Sequence, residues 1–230
     1  YFDSLFILFE QAKEEGKKMT TSCCPAFVSL VKKHFPEYEE NISKTTSPMV
    51  SCGLYVKNKN PEAMTCFIGP CIAKKRESLE HPDAVDFVLT YEDLQCIFEG
   101  TGIDLSQPAD KEYVTQATAG GIGFPLTRGV QASMKEVLPL DRQAALSAEY
   151  ADGLEFCKDK LSQIKSGKLT AEYFEGMACC NGCVNAPGSL AQQGLTRVLV
   201  TKFQKTAEKK TSDQLPEAVD AVKNISFEIQ

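Results

Sequence analysis

Three separated segments of this chain carry cysteine directly after a strand-like stretch, and they constrain the fold more than any other feature. The segments are Thr-Ser-Cys-Cys-Pro at 21–25, Gly-Pro-Cys-Ile-Ala-Lys-Lys at 69–75 and Glu-Gly-Met-Ala-Cys-Cys-Asn-Gly-Cys at 175–183. Loops at the carboxyl ends of parallel strands converge, so cysteines that are distant in sequence can meet there. Four thiolates are the usual complement of a cubane iron-sulfur cluster, because each iron corner takes one ligand. The sequence therefore predicts one iron-sulfur site assembled from distant loops.

Other uses of the ten cysteines compete with this interpretation. A secreted disulfide scaffold is usually shorter, and the vicinal pairs Cys23-Cys24 and Cys179-Cys180 are awkward for ordinary bridging. Zinc stays open as an alternative on ligand count, although the sequence has only one Cys-x-x-Cys knuckle, at 180–183. Cys180 is open between packing and an auxiliary role. The other four, at 52, 66, 96 and 157, are expected to be small buried hydrophobes.

Composition excludes several classes of protein. The net charge is −6 without a concentrated basic stripe, so we expect no nucleic-acid partner. No apolar run approaches the roughly 20 residues that span a bilayer, and no basic start of a signal peptide precedes the first apolar residues. The sequence therefore predicts a cytoplasmic, reduced protein without membrane contact. Residues 2–12 already follow a helical pattern behind a first residue that is not Met, which favours a fragment or processed subunit.

Strand and helix patterns alternate along the chain. Strands are predicted at 19–22, 64–68, 86–90 (buried) and 173–178, and helices at 25–35, 91–98, 130–137 and about 144–164, the last broken near 152–153. This order predicts an α/β protein with mostly parallel sheets flanked by helices, in two lobes, with a metal-cluster site between strand-end loops. Residues 1–195 would form the cluster-binding domain. Residues 196–230 would form a C-terminal helical tail, with a short helix near 217–222, and the chain from Val200 onward is expected to be peripheral to the chemistry.

The three cysteine segments resemble, in order and in flanking residues, the signature segments of the iron-iron (FeFe) hydrogenase catalytic domain. The resemblance covers residues 19 to about 188. It implies that Cys24, Cys71, Cys179 and Cys183 hold a 4Fe-4S cubane. It also implies that the Cys183 sulfur bridges to a diiron subsite with CO, CN and a dithiolate bridge, which together with the cubane forms the H-cluster.

The same resemblance assigns roles to further residues. Cys23 would be the proton donor and acceptor beside the subsite rather than a ligand. Lys74 would pair with an iron-bound cyanide, because an ammonium offers donors and charge to an anion. Met177 would pack over the subsite, and Ser43 would belong to the proton path. The first carboxylate of that path is expected near Asp3.

The implied activity is reversible H₂ oxidation and proton reduction by an anaerobic oxidoreductase, or the sensing of H₂ at the same site. The implied partners are H₂ and protons as substrates, ferredoxin or another electron-transfer protein, and cofactor maturation proteins. One alternative is a non-catalytic iron-sulfur scaffold or electron-transfer protein that holds only a 4Fe-4S cluster. A signal-transducing role is a third reading, and it would need a partner that this sequence does not encode.

Departures from the family pattern concern the surroundings of the subsite. Gly69 stands where catalytic members usually carry Met, Met49 stands where Gln is frequent, and Cys180 adds a sulfur beside Cys179. These changes resemble the divergent, sensory branch of the family. The family's opening segment would precede residue 1, so an N-terminal segment or a separate subunit is expected to supply it.

Overall fold

Two parallel sheets form the framework of the computed structural model, which describes residues 9–12, 14, 16–107, 117–192, 194–211, 214–215 and 225–226. The larger sheet has the order β1 (Met19–Thr20), β5 (Tyr173–Met177), β4 (Ala148–Asp152). The smaller sheet pairs β2 (Cys66–Ile68) with β3 (Phe87–Leu89). All of these strands pair in parallel, which confirms the predicted α/β class with parallel sheets flanked by helices.

Helices connect and cover the strands. In chain order they are α1 Pro25–His34, α2 Pro48–Lys59, α3 Ala73–Glu80, α4 Tyr91–Thr101, α5 Ala119–Gly123, α6 Gly129–Val137, α7 Leu140–Ala145, α8 Leu154–Lys165 and α9 Leu195–Thr206. Short 3₁₀ turns lie at Pro36–Asn41 and Cys183–Asn185. None of the helices in the described ranges is long and apolar enough to cross a membrane.

Local signals explain where two of these helices begin and end. Pro25 occupies the first turn of α1, where a missing N–H costs nothing, and basic residues fill its last turn. Thr90 and Asp93 form a reciprocal capping box at the start of α4. Gly102 then ends α4 in the left-handed conformation, at φ 70°. The predicted positions of both helices are confirmed.

Strand β5 is the centre of the fold, and all five of its residues are buried. Its Phe174 side packs with Phe27, Val31 and Leu161 from the covering helices α1 and α8. Its Tyr173 side packs with Met19, Val130 and Met134. A third cluster around Val50 and Val85 lies beneath the smaller sheet. The first two clusters fix the end of β5, and the third cysteine segment follows directly from that end.

Two predictions about the sheets are wrong, one about secondary structure and one about burial. Residues 148–152 form β4 rather than the first half of a helix, because they pair in parallel with β5 from Ala148–Tyr173 to Asp152–Met177. Strand β3 was expected to be buried, yet Phe87 is 52% exposed. Within the described residues β3 has one neighbouring strand, so much of its surface remains uncovered.

The two ends of the chain are described in part. Residues 9–12 are helical, and the ring of Phe9 meets that of Tyr173 edge-on with centroids 6.0 Å apart. Residues 2–8 of the predicted opening helix, including Asp3, lie outside the described residues. So do residues 216–224 of the predicted C-terminal helical tail. Helix α9 packs on α5, where Gln204 Nε2 donates to the carbonyl of Ala119 at 2.9 Å.

Candidate metal-cluster site

A cavity of about 610 Å³ opens at the carboxyl ends of the strands, and all three cysteine segments reach it or its rim. Cys23 and Cys24 follow β1, Cys71 follows β2, and Cys183 lies in the segment after β5. These four cysteines line the cavity together with Lys74, Met49, Met177 and Phe67. Parallel pairing brings the strand ends to one edge of each sheet, and this is why residues so distant in sequence share one space.

Backbone groups around Cys24 act to stabilise a thiolate against the effect of burial. Cys24 is the N-cap residue of α1, so the positive end of the helix dipole faces it. The backbone N–H of Ala178 donates to its sulfur at 3.5 Å. Burial raises the pKa of the Cys24 thiol, and the N–H groups of Ala178 and Phe27 act against that rise. Such N–H donors to sulfur also tune iron-sulfur clusters.

The proposed ligands lie close enough to affect one another's ionisation. Burial raises the pKa of Cys183 to about 12, and the thiols of Cys24, Cys71 and Cys179 add to the rise. Burial raises the pKa of Cys179 to about 11, with Cys24, Cys71 and Cys180 contributing. Metal ligands must be thiolates, so a positively charged group bound here would favour their ionisation and offset the repulsion between them.

The second and third segments are joined through the backbone. The N–H of Gly188 donates to the carbonyl of Pro70 at 2.8 Å, and this bond ties the chain after the third segment to the residue before Cys71. A Cβ on Gly188 would lie 2.7 Å from Thr90 Cβ and 2.9 Å from that carbonyl oxygen. The close approach therefore requires glycine at position 188.

The donor set fits a cluster better than a single ion. No group of three or more His, Cys, Asp or Glu side chains among the described residues is placed to hold one metal ion. A zinc ion draws four sulfurs to about 2.3 Å from one point, whereas each thiolate of a cubane binds a different iron. Here Cys24, Cys71 and Cys183 line a cavity instead of converging on one atom. Thiolates around an enclosed space suit a 4Fe-4S group.

Cys23 is buried beside the ligands. Burial raises the pKa of its thiol well above the ordinary value, and the neighbouring Cys24 and Cys183 add to this effect. Lys74 acts in the opposite direction. The thiol of Cys23 therefore lies protonated in the wall of the cavity, next to the proposed ligands Cys24 and Cys183.

Lys74 is held in place by two acceptors. Its Nζ donates to the Cys23 carbonyl at 3.2 Å and to Glu77 Oε2 at 2.5 Å, and both Lys74 and Glu77 are buried. The ammonium therefore faces the cavity with part of its charge already balanced. Glu77 is a site residue that sequence reasoning missed. Its signal was the spacing of three from Lys74 on a helix, which makes the two side chains neighbours.

Met177 and Ser43 occupy different places. Met177 is buried at the end of β5 and lines the cavity. Ser43 is buried next to β1, where its hydroxyl donates to Thr45 Oγ1 at 3.0 Å. It lines two neighbouring clefts and is not among the residues that line the main cavity. The proposed site residues that line the main cavity are Cys23, Cys24, Cys71, Lys74, Met177 and Cys183. Cys179 and Ser43 are not among its lining residues, although the thiol of Cys179 lies near enough to those of Cys24 and Cys71 for them to raise its pKa.

Two acidic residues that sequence reasoning overlooked support the third segment. Glu175 is 1% exposed on β5, and its carboxylate accepts backbone N–H groups of Arg128 and Gln131, each at 2.8 Å. Asp152 ends β4 and accepts the N–H of Asn181 at 2.6 Å. For Glu175 a signal existed, since a charged residue inside an apolar strand must find buried partners. No local signal marked Asp152.

The remaining cysteines differ from expectation. Cys157 is fully buried, as predicted, and its thiol donates to the carbonyl of Met177 at 3.4 Å. Cys52, Cys66 and Cys96 are exposed, so the prediction that they are buried is wrong. Periodicity places cysteine on apolar faces, but α2, α4 and β2 leave much of those faces uncovered. Cys180 is also exposed.

The departures at positions 69 and 49 affect the cavity wall. A Cβ on Gly69 would lie 2.8 Å from two ring atoms of Phe67, so the Phe67 ring occupies the space beside Gly69. Met49 is buried and lines the cavity. Helix α9 adds Thr196 and Val200 to the wall. The start of the predicted C-terminal tail therefore contributes to the wall of the cavity.

Comparison with known proteins decides the family. The model of the iron-only hydrogenase large subunit, C-terminal domain, matches residues 6–187, which include all three cysteine segments. The chain belongs to this hydrogenase family. The match confirms the resemblance that the cysteine segments carry, and the family is one of oxidoreductases that contain iron-sulfur clusters.

Relatives of this hydrogenase-family chain include proteins named as hydrogenases and a protein named as an iron-sulfur cluster assembly factor. The chain is 26% identical over 224 residues to the periplasmic Fe hydrogenase large subunit of Nitratidesulfovibrio vulgaris, covering 78% of the chain and 53% of the relative. It is 25% identical over 239 residues to the cytosolic Fe-S cluster assembly factor narfl of Xenopus tropicalis, covering 81% and 50%. The chain thus spans about half the length of these relatives.

A solved structure agrees with the fold. The apo FeFe hydrogenase HydA1 of Chlamydomonas reinhardtii superposes with a TM-score of 0.73 at 18% identity, over 99% of this chain and 76% of that protein. At this identity the likeness speaks for the fold alone. The two-sheet framework described above is therefore the fold of FeFe hydrogenases.

Proposed function

We propose that this chain holds a 4Fe-4S cubane through Cys24, Cys71, Cys179 and Cys183, with a diiron subsite joined at Cys183. We further propose that the site catalyses or senses the interconversion of H₂ with protons and electrons. The single observation that carries the proposal is that cysteines from three separated segments share one cavity with Lys74 and Met177. Family membership supports it.

When bound, the group would supply the redox chemistry, and the protein would hold it, exclude water and handle protons. Cys23 lies in the wall of the cavity and carries a proton on its thiol, so it would exchange that proton with a group bound there. Lys74, fixed by Glu77 and the Cys23 carbonyl, would offer a remaining N–H to an anionic ligand. Met177 and Met49 keep the wall apolar.

We assign the remaining features to the same function. Ser43 would take part in delivering protons, and ferredoxin or another electron-transfer protein would exchange electrons with the cubane. Maturation proteins would load the diiron subsite, and a segment or subunit beyond this chain would complete the cavity. We place residues 1–195 in the cluster-binding domain and 196–230 in a C-terminal helical segment. We place the protein in the anaerobic cytoplasm, where its free thiols stay reduced.

A second candidate is a scaffold or electron-transfer protein that holds only the cubane. Two observations favour it. The relative from Xenopus is named a cluster assembly factor, and Gly69 with Phe67 alters the wall beside the subsite. The position of Cys23 in the cavity wall favours the hydrogenase proposal, since a scaffold needs no proton donor there.

Infrared spectroscopy of the anaerobically matured protein separates the two candidates. We expect carbonyl and cyanide bands, together with iron and sulfide contents that match a cubane plus a diiron subsite. A cubane-type iron content without those bands would establish the scaffold. Absence of any bound iron after reconstitution would refute both candidates.

Single-residue variants test the assignments within the site. Cys183→Ser should abolish the infrared bands and lower the iron content, whereas Cys96→Ser, on the exposed side of α4, should leave both unchanged. Cys23→Ala should retain the iron content but lose proton-coupled turnover. If Cys23→Ala loses iron in proportion to its loss of turnover, Cys23 is a ligand or a structural residue, and the proton-donor role is wrong.

A further inference from the structure

The third cysteine segment is built against a second loop. We call residues 179–183 the cysteine loop and residues 124–128 the facing loop. The N–H of Cys183 donates to the carbonyl of Pro125 at 2.8 Å, and Leu126 forms an antiparallel bridge with Gly182. A Cβ on Gly182 would lie 2.4 Å from the Pro125 oxygen, and its φ is 90°. The two loops therefore touch through backbone, with no room for a side chain at Gly182.

One carboxylate oxygen holds both loops. Oδ2 of Asp152, at the end of β4, accepts the backbone N–H of Asn181 and the hydroxyl of Thr127, each at 2.6 Å. Asn181 belongs to the cysteine loop, and Thr127 belongs to the facing loop. Both bonds are short and charge-assisted, which is the stronger class of hydrogen bond. The parallel pairing of Asp152 with Met177 places this carboxylate directly beside the start of the cysteine loop.

The bond from Asp152 reaches the one non-glycine residue of the cysteine loop that has a positive φ among the described residues. Asn181 has a φ of 65°, in the left-handed region that residues other than glycine seldom occupy. It stands between Cys179 and Cys183, so the conformation of this residue sets how the two proposed ligands are presented. A residue in this region keeps its conformation only when the surrounding structure holds it there, and the bond to Asp152 is one such restraint.

We propose that Asp152 is a positioning residue that builds the cysteine loop before metal arrives, and that Thr127 is its partner in the facing loop. This inference rests on the proposed cluster site. It implies that the half of the site formed by Cys179 and Cys183 exists in the metal-free protein, so the binding energy of iron is not spent on ordering that loop.

Hydrogen exchange of the metal-free protein tests the clamp directly. In Asp152→Ala the amide of Asn181 should exchange about tenfold faster or more, because a charge-assisted bond is lost. Asp152→Asn should lie between Asp152→Ala and the native protein, since its amide oxygen still accepts a weaker bond. Glu149→Gln is the matched control on the same strand, because Glu149 pairs with Lys160 at 2.9 Å and leaves the loops untouched.

Thr127 offers a second pair of variants. Thr127→Val keeps the shape but removes the hydroxyl, whereas Thr127→Ser keeps the hydroxyl. We expect Thr127→Val to release iron to a chelator several-fold faster than the native protein, and Thr127→Ser to match the native rate. The thermal midpoint of each metal-free variant, followed by circular dichroism, reports on loss of the whole fold, which the clamp does not predict.

The outcomes are separable from those of the proposed function. If Asn181 exchanges at the native rate in Asp152→Ala, the clamp is refuted whether or not the protein binds iron. If exchange accelerates but iron release is unchanged, Asp152 orders the loop without serving the site, and the positioning role is refuted. If the native protein binds no iron, the proposed function fails, and the positioning role of Asp152 fails with it. Slow exchange of the Asn181 amide in that protein would still show that the hydrogen bond to Asp152 forms, so this failure differs from a failure of the clamp itself.

Discussion

The buried carboxyl of Glu175 makes a prediction about stability that can be worked through in detail. Glu175 lies on the central strand β5 and is 1% exposed. Burial raises its pKa from an ordinary value of 4.5 to about 7, although the N–H groups of Gln131 and Arg128 act to lower it. The folded protein therefore holds this proton at pH values where the unfolded chain has already released it.

The sign and size of the effect follow from proton linkage. Since the folded state binds more protons between about pH 4.5 and about pH 7, the free energy of unfolding falls as the pH rises through this window. One pKa unit is worth about 1.4 kcal/mol, so the full loss is about 3 kcal/mol and is complete near pH 8. The stabilising contribution of Glu175 is fully present below about pH 4.5, the pKa of its carboxyl in the unfolded chain.

The change to make is Glu175→Gln, which removes the titration and keeps the shape. Urea unfolding of the metal-free, reduced protein should be measured at intervals between about pH 5 and about pH 8. The stability of the native protein relative to Glu175→Gln should fall by about 3 kcal/mol across this range. The buried thiols are the same in the native protein and in Glu175→Gln, so their contribution to the pH dependence cancels in this comparison.

Glu149→Gln, on the neighbouring strand, is the control because it removes a carboxylate that is only partly buried. Its pH profile should run parallel to that of the native protein. If the Glu175→Gln profile is also parallel to the native one, Glu175 ionises near its ordinary pKa. In that case the two N–H donors outweigh burial and the reasoning is refuted.

Three further changes test the packing and the caps. Gly176→Ala should destabilise the fold by about 1–3 kcal/mol in urea unfolding, because a Cβ would lie 2.2 Å from a ring carbon of Phe27; a neutral result would mean that the ring moves aside freely. Thr90→Ala should cost about 1 kcal/mol by removing the capping box of α4, and Thr90→Ser should restore it. Leu161→Ala should cost about 2–5 kcal/mol in thermal or urea unfolding, since Leu161 is 1% exposed in the first core; a smaller loss would show that this core collapses around the gap.

Elements with local signals were predicted well, and elements whose identity depends on a partner were not. Helix α1 follows from Pro25 and helix α4 from Thr90 and Gly102, because caps act within a few residues. The pattern over 148–152 predicts a helix, but these residues form strand β4. Pairing with β5 across the sheet imposes the strand conformation, and a local pattern does not report that pairing. The same reason explains why the exposure of Cys52, Cys66 and Cys96 could not be read from periodicity.

The sequence by itself determined that cysteines follow strands in three segments with the flanking residues of an iron-only hydrogenase, because motif and spacing are properties of contiguous residues. Only the tertiary structure decided which acidic residues support them. Asp152 reaches Asn181, and Glu175 reaches Arg128 and Gln131, across sequence separations of about 30 to about 50 residues. Parallel pairing of β4 with β5 creates these contacts, and nothing in a linear pattern specifies which strand ends will meet.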